Sequence, residues 1–183
     1  MNIPNSLSIF RIILIPIFVV LFFTLDKELV YIPVLVLVLS GITDVADGFV
    51  ARKFNQITYL GKILDPLADK LTLFFVLGCL AIKDSSILLL ATLYFIKEFS
   101  MGIGGIIIMK SGKKIASARW FGKATTMYIY GAVVLILLKP AFIEQYMIFV
   151  IWIAMILVVF SFIMYVPEYV KIMKNNNEKI GEI

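Results

Sequence analysis

Six apolar runs, at residues 7–25, 30–46, 67–82, 87–109, 124–138 and 146–166, fill almost the whole 183-residue chain. A helix that crosses the hydrocarbon of a bilayer takes about 20 mostly apolar residues. Inside that layer only helices and closed barrels satisfy their own backbone N–H and C=O groups. The pattern therefore predicts an all-α integral membrane bundle of six transmembrane helices. Short connections leave no room for a separate aqueous domain, so residues 1–183 read as one membrane domain, with 171–183 a frayed polar tail. With 62% of its residues hydrophobic, the chain exceeds what a soluble core of this size needs, which argues against a purely aqueous function.

The first run reads as a retained helix entered through Pro4 and Asn5. Its only early basic residue is Arg11, and no small-residue cleavage site follows, unlike a secretory signal. Alternating the connections between the two membrane faces puts all 17 basic residues except Lys27, Lys83 and Lys139 on one side. The Lys/Arg-rich face is the cytoplasmic one, so both termini are expected there. A cationic face also attracts anionic headgroups and phosphorylated metabolites. Pro140 and Pro167 follow apolar runs, while Pro16 and Pro33 lie inside them and predict kinks. The small residues of MGIGGIII favour close helix packing over a phosphate loop, since no strand precedes them.

Against this background the segment DVADGFVARKFNQITYLGKILDPLADK, residues 44–70, is anomalous because it holds four aspartates. Asp44 and Asp47 are spaced i, i+3, roughly 60° apart around a helix, and Asp65 and Asp69 are spaced i, i+4, roughly 40° apart. Each pair shares a helix face. The stretch between them is too short to cross the membrane, so both faces meet at the cytoplasmic end of an antiparallel helix pair. Unpaired buried charge costs several kcal/mol per ion, and Arg52 alone does not balance four carboxylates. Two divalent cations about 4 Å apart would, leaving coordination positions for substrate oxygens. The chain has no histidine, and Cys79 stands alone in an apolar run. Oxygen ligands remain, which favours Mg2+ or Mn2+. The competing reading makes these interfacial aspartates that offset helix dipoles, credible for Asp65 before Pro66 taken singly. Four acids together near membrane depth point instead to a functional site. Gly48 and Gly61 remove side chains where a ligand approaches the backbone, Ala51 keeps the same surface low, and Arg52 offers a bidentate guanidinium to phosphate.

Taken together, Asp44-x-x-Asp47-Gly48-x-x-Ala51-Arg52, then eight residues, then Gly61-x-x-x-Asp65-x-x-x-Asp69, resembles the signature of the CDP-alcohol phosphatidyltransferase family. The resemblance implies transfer of a substituted phosphate group from a CDP-linked donor to an alcohol, with release of CMP. It implies that Asp44, Asp47, Asp65 and Asp69 hold two divalent metal ions, and that Asp69 is also the catalytic base toward the acceptor hydroxyl. It assigns the CDP moiety to Asp44, Gly48, Ala51, Arg52, Thr58, Gly61 and Asp65. It further implies a homodimer in the bacterial plasma (inner) membrane, with the site facing the cytoplasm, lipids as neighbours and no nucleic-acid partner.

MNIPNSLSIFRI and LDPLADK resemble the bacterial branch that transfers the phosphatidyl group of CDP-diacylglycerol to sn-glycerol 3-phosphate, giving phosphatidylglycerophosphate. An acceptor of that kind requires a cationic phosphate pocket, for which Arg11, Lys97, Arg119 and Lys123 are candidates; Lys97, next to Glu98, has a structural ion pair as its alternative. Two positions depart from the branch. Lysine replaces arginine in KEF, giving up the planar fork, and GKATT places Thr125 where a second lysine is common. A cardiolipin-synthase-like use of phosphatidylglycerol, or an inositol phosphate or serine acceptor, is the alternative within the family. A divalent-cation transporter is the alternative outside it, although such a site belongs at the bilayer midplane between two related halves.

Overall fold

A computed structural model of the chain describes residues 3–53, 61–111 and 120–174. Six long helices are present: α1 (Ile3–Thr24), α2 (Tyr31–Lys53), α3 (Gly61–Lys83), α4 (Leu88–Lys110), α5 (Trp120–Leu138) and α6 (Met147–Lys174). Short 3-10 turns at Lys27–Leu29, Ser85–Ile87 and Glu144–Tyr146 lead into α2, α4 and α6. No strand occurs among the described residues.

The helices outrun the apolar runs that announced them. Once nucleated, a helix gains one hydrogen bond for each residue added, so it does not stop where hydrophobicity does. Thus α2 continues beyond residue 46 to Lys53, and α3 begins at Gly61 rather than at 67. The polar tail expected from 171 is helical through Lys174, and residues 175–183 lie outside the described residues. Pro167 is inside α6 rather than after it. Pro33 is the third residue of α2, where a backbone N–H has no intrahelical partner, so the expected kink has no missing bond to cause it.

Four segments are long and apolar enough to cross a bilayer: Asn5–Thr24, Ser85–Lys110, Trp120–Leu138 and Glu144–Lys174. The apolar part of α2 is the shorter Tyr31–Asp44, and α3 carries Asp65, Asp69 and Lys70 in its first half. These are the two helices that bear the aspartates. On α6, Trp152, Ile156, Phe160 and Ile163 are exposed at helical spacing. A stripe of that kind is out of place in water and suits lipid. The chain is a multi-pass membrane protein.

Two compact units make up the fold. Met1–Leu88 with Val133–Pro140 forms the first, and Leu89–Ala132 with Ala141–Ile183 the second. In the first, α1 packs against both α2 and α3. Leu14 and Phe18 of α1, Leu37 of α2, and Leu73, Val76 and Leu77 of α3 are all buried. In the second, tyrosines tie helices through backbone oxygens. Tyr169 donates to the Met101 carbonyl at 3.3 Å and Tyr128 to that of Val150 at 3.3 Å. The Tyr165 ring lies 4.7 Å from that of Phe121. Lipid offers such hydroxyls no partner, so each is matched by protein.

Candidate active site

Three helices of the first unit supply the site. On α1 the polar residues Asn5, Ser8 and Arg11 recur at three-residue spacing, and all three are buried. Arg11 is 1% exposed. Its Nη1 forms an ion pair with Asp44 Oδ1 of α2 and stands 3.8 Å from Asp69 Oδ1 of α3. Nη2 lies 3.9 Å from Asp65 Oδ1, which also accepts a hydrogen bond from Ser8 Oγ. Three carboxylates from two helices thus gather around one guanidinium from a third.

Local hydrogen bonding fixes the flanks. Thr43 Oγ1 donates to the Leu39 and Ser40 carbonyls at 3.0 and 2.7 Å, and Thr72 Oγ1 donates to the Ala68 carbonyl at 2.8 Å. Both hydroxyls are spent on their own helices, leaving the aspartates as the groups that reach outward. Their side chains are 43%, 38% and 31% exposed for Asp44, Asp65 and Asp69. The cluster therefore has a closed side, held by Arg11, and an open side.

The acids present carboxylate oxygens, the donor type that hard divalent ions take, and all three converge on the Arg11 guanidinium. Among the described residues no three acidic side chains form a metal-ligand group by themselves; Arg11 is their common partner. Asp47, Gly48, Ala51 and Arg52 continue along α2, but their side chains lie outside the described residues, as does Thr58 altogether. Gly61 opens α3 and is buried.

The acceptor candidates separate. Arg11, expected to face a phosphate, is the counter-ion of the aspartates. Lys97 belongs to the second unit and is buried; its Nζ meets Glu98 Oε1 at 2.6 Å and stands 5.8 Å from the centre of the Tyr94 ring, the structural alternative foreseen for it. Lys123 of α5 is exposed, and Arg119 lies outside the described residues. Where a second lysine was wanting, Thr125 is buried, with its Oγ1 2.8 Å from the Phe121 carbonyl and 3.3 Å from that of Leu157. Ser8 was missed in the sequence, although its i, i+3 relation to Arg11 inside an apolar run was a legible signal.

Residues 1–163 match the family model described as CDP-alcohol phosphatidyltransferase. The chain belongs to that family. CDP-alcohol phosphatidyltransferases with similar sequences include the CDP-diacylglycerol–glycerol-3-phosphate 3-phosphatidyltransferase of Aquifex aeolicus (strain VF5), 42% identical over 132 residues, covering 70% of this chain and 71% of the relative. The protein of the same name from Sodalis glossinidius is 34% identical over 143 residues, 76% of this chain and 79% of the relative. That of Rickettsia typhi is 43% identical over 81 residues, with 44% of this chain matched and 43% of the relative. As a CDP-alcohol phosphatidyltransferase the chain is a transferase, and the gathered aspartates of its motif occupy the helices that the family model covers.

Proposed function

We propose that this phosphatidyltransferase moves the phosphatidyl group of CDP-diacylglycerol to sn-glycerol 3-phosphate, yielding phosphatidylglycerophosphate and CMP. The convergence of Asp44, Asp65 and Asp69 on one buried cation carries this reading, and the names of the relatives supply the acceptor. The acceptor oxygen forms a bond to the phosphorus that bears the diacylglycerol, the bond from that phosphorus to the bridging oxygen of the diphosphate breaks, and CMP leaves with that oxygen. Asp69 takes the proton of the acceptor hydroxyl. Ser8, by donating to Asp65, holds one carboxylate in place, and Arg11 offsets the repulsion among the acids on their closed side. Arg52, beyond Asp47 and Gly48 in α2, is the guanidinium proposed for the donor diphosphate.

Asp44, Asp47, Asp65 and Asp69 would hold two divalent metal ions, Mg2+ or Mn2+. Those ions, when bound, would neutralise the diphosphate and acidify the acceptor hydroxyl, for which a carboxylate of ordinary pKa near 3.9 is a weak base. The aspartate-bearing ends of α2 and α3 are assigned to the cytoplasmic face of a bacterial inner membrane by the lysine and arginine asymmetry.

The test is CMP release from CDP-diacylglycerol with glycerol 3-phosphate, phosphatidylglycerol, inositol phosphate and serine offered separately. Glycerol 3-phosphate is expected to be the preferred acceptor, and robust turnover with only another alcohol overturns the choice. Asp69→Asn is expected to lower turnover by at least 10²-fold, the low end of what a positioned base contributes, while leaving the folded protein in the membrane. Metal uptake into proteoliposomes without nucleotide chemistry would replace the whole reading with transport.

A further inference from the structure

At the end of the first unit remote from the aspartates lies a cavity of about 560 Å³, within the 300–1,000 Å³ range of small-molecule sites. Asp44 is about 20 Å further along α2 than Tyr31, and Asp69 about 20 Å before Lys83 on α3, at roughly 1.5 Å per residue. The cavity therefore opens at the membrane face opposite the chemistry. Its wall is apolar, built from Leu21 and Phe22 of α1, Leu25 just beyond it, Pro33 of α2, Leu80 of α3 and Leu137 of α5. Asp26, Lys83, Asp84 and Lys139 also line it. A hydrocarbon-lined space bordered by charge suits an amphipathic occupant, and the bilayer supplies one.

Its charge is balanced and specific in kind. Only three basic residues fall on this side of the sequence, Lys27, Lys83 and Lys139, and two of them line the cavity. Lys83 Nζ is anchored on the Phe22 carbonyl at 2.6 Å, 4.2 Å from the centre of that residue's ring. Lys139 Nζ is 3.7 Å from Asp84 Oδ2 and its side chain is 55% exposed. The backbone of Lys139 has φ 40°, a left-handed conformation that glycine adopts freely and lysine adopts only under strain. A charged side chain is thus kept at a helix terminus where glycine fits better. Two ammonium groups and two carboxylates leave the lining with no net charge, which suits a headgroup whose own two charges cancel.

We infer that the cavity bordered by Lys83, Lys139, Asp26 and Asp84 binds a zwitterionic phospholipid, one acyl chain in the apolar interior, its phosphate at the lysines and its ammonium at the aspartates. This is a different ligand, at a different membrane face, from any donor at the aspartate cluster.

The full chain, reconstituted in vesicles of phosphatidylethanolamine and phosphatidylglycerol, is photolabelled with a phosphatidylethanolamine that carries a diazirine on its acyl chain. Labelled peptides are then mapped by mass spectrometry. Labelling is expected within 21–33, 80–87 and 136–139, competed by unlabelled phosphatidylethanolamine and at least five-fold less by phosphatidylglycerol. Lys139→Gly is expected to raise the melting temperature while lowering labelling at least five-fold, a split that a purely structural lysine would not give. Lys83→Met, which keeps the apolar stem, is expected to lower labelling likewise. Label spread evenly over the lipid-facing helices, equal competition by the two lipids, undiminished labelling of both variants, or cross-linking of the cavity mouth to a second copy of the chain overturns the assignment.

Discussion

Arg11 holds its charge inside a helix whose neighbours in sequence are isoleucine and phenylalanine, and only the aspartates of α2 and α3 make that placement tolerable. Removing one partner of a buried ion pair is costly because the other is stranded. Here the acids are partly exposed, so water screens what remains of their repulsion. Arg11→Met is therefore expected to lower the melting temperature by several degrees without abolishing folding. If a divalent ion uses the same carboxylates, added Mg2+ or Mn2+ will restore more of that loss in the variant than it adds to the wild type, read by thermal denaturation in detergent. A second residue-scale expectation concerns Asp84, between α3 and α4. Hydrogen bonding from Ser86 holds its carboxyl below the usual range, with Lys139 adding to the effect and partial burial opposing it. Such a group contributes stability that is complete above the unfolded value near 3.9 and is lost as pH falls through the lower folded value. Asp84→Asn should therefore lower the melting temperature near neutrality and flatten its fall below about pH 4. The aspartates were legible in the sequence because charge in an apolar run is conspicuous. Their partner was not, because the register of α1 against α2 and α3 decides which cation reaches them, and no spacing within one helix encodes it.

At the scale of elements, all six helices were legible from hydrophobicity, whereas their polar ends were not. Apolar runs report where lipid lies, and helices extend beyond lipid wherever their backbone bonds continue to close. The Gly-rich part of α4 shows how finely packing discriminates. A Cβ at Gly104 would meet ring carbons of Tyr169 at 2.8 Å, whereas one at Gly102 meets nothing within 4 Å. Gly104→Ala is expected to cost about 1–3 kcal/mol through overpacking, and Gly102→Ala to be neutral or stabilising by up to about 1 kcal/mol from helix propensity. Gly122→Ala belongs with Gly104→Ala as costly, since its methyl would collide with the Tyr165 hydroxyl. Comparative melting of the three variants checks the ranking. The sequence signal, a run of small residues, was sound as a sign of close approach but did not say which glycine was approached.

For the molecule as a whole, the helices that carry the aspartates are those whose apolar stretches fall short of a full crossing. Carboxylates held in hydrocarbon are costly, and a shortened apolar stretch leaves the aspartate-bearing ends of α2 and α3 outside it. The segment Ser85–Lys110 is long and apolar enough to cross in one piece, so the residues at its two ends report orientation. In cells, a cysteine at Ser111 is expected to resist a membrane-impermeant maleimide until the membrane is opened, and one at Ser85 to react at once; the reverse order would invert the proposed topology. Cys79 is buried and gives a low background. Finally, the placement of Ser8 and Arg11 on α1 bears on biosynthesis. Because α1 precedes α2 and α3 in the chain, its cation meets its counter-charges only when those two helices have followed, so insertion into the bilayer and assembly of the charged cluster become a single event.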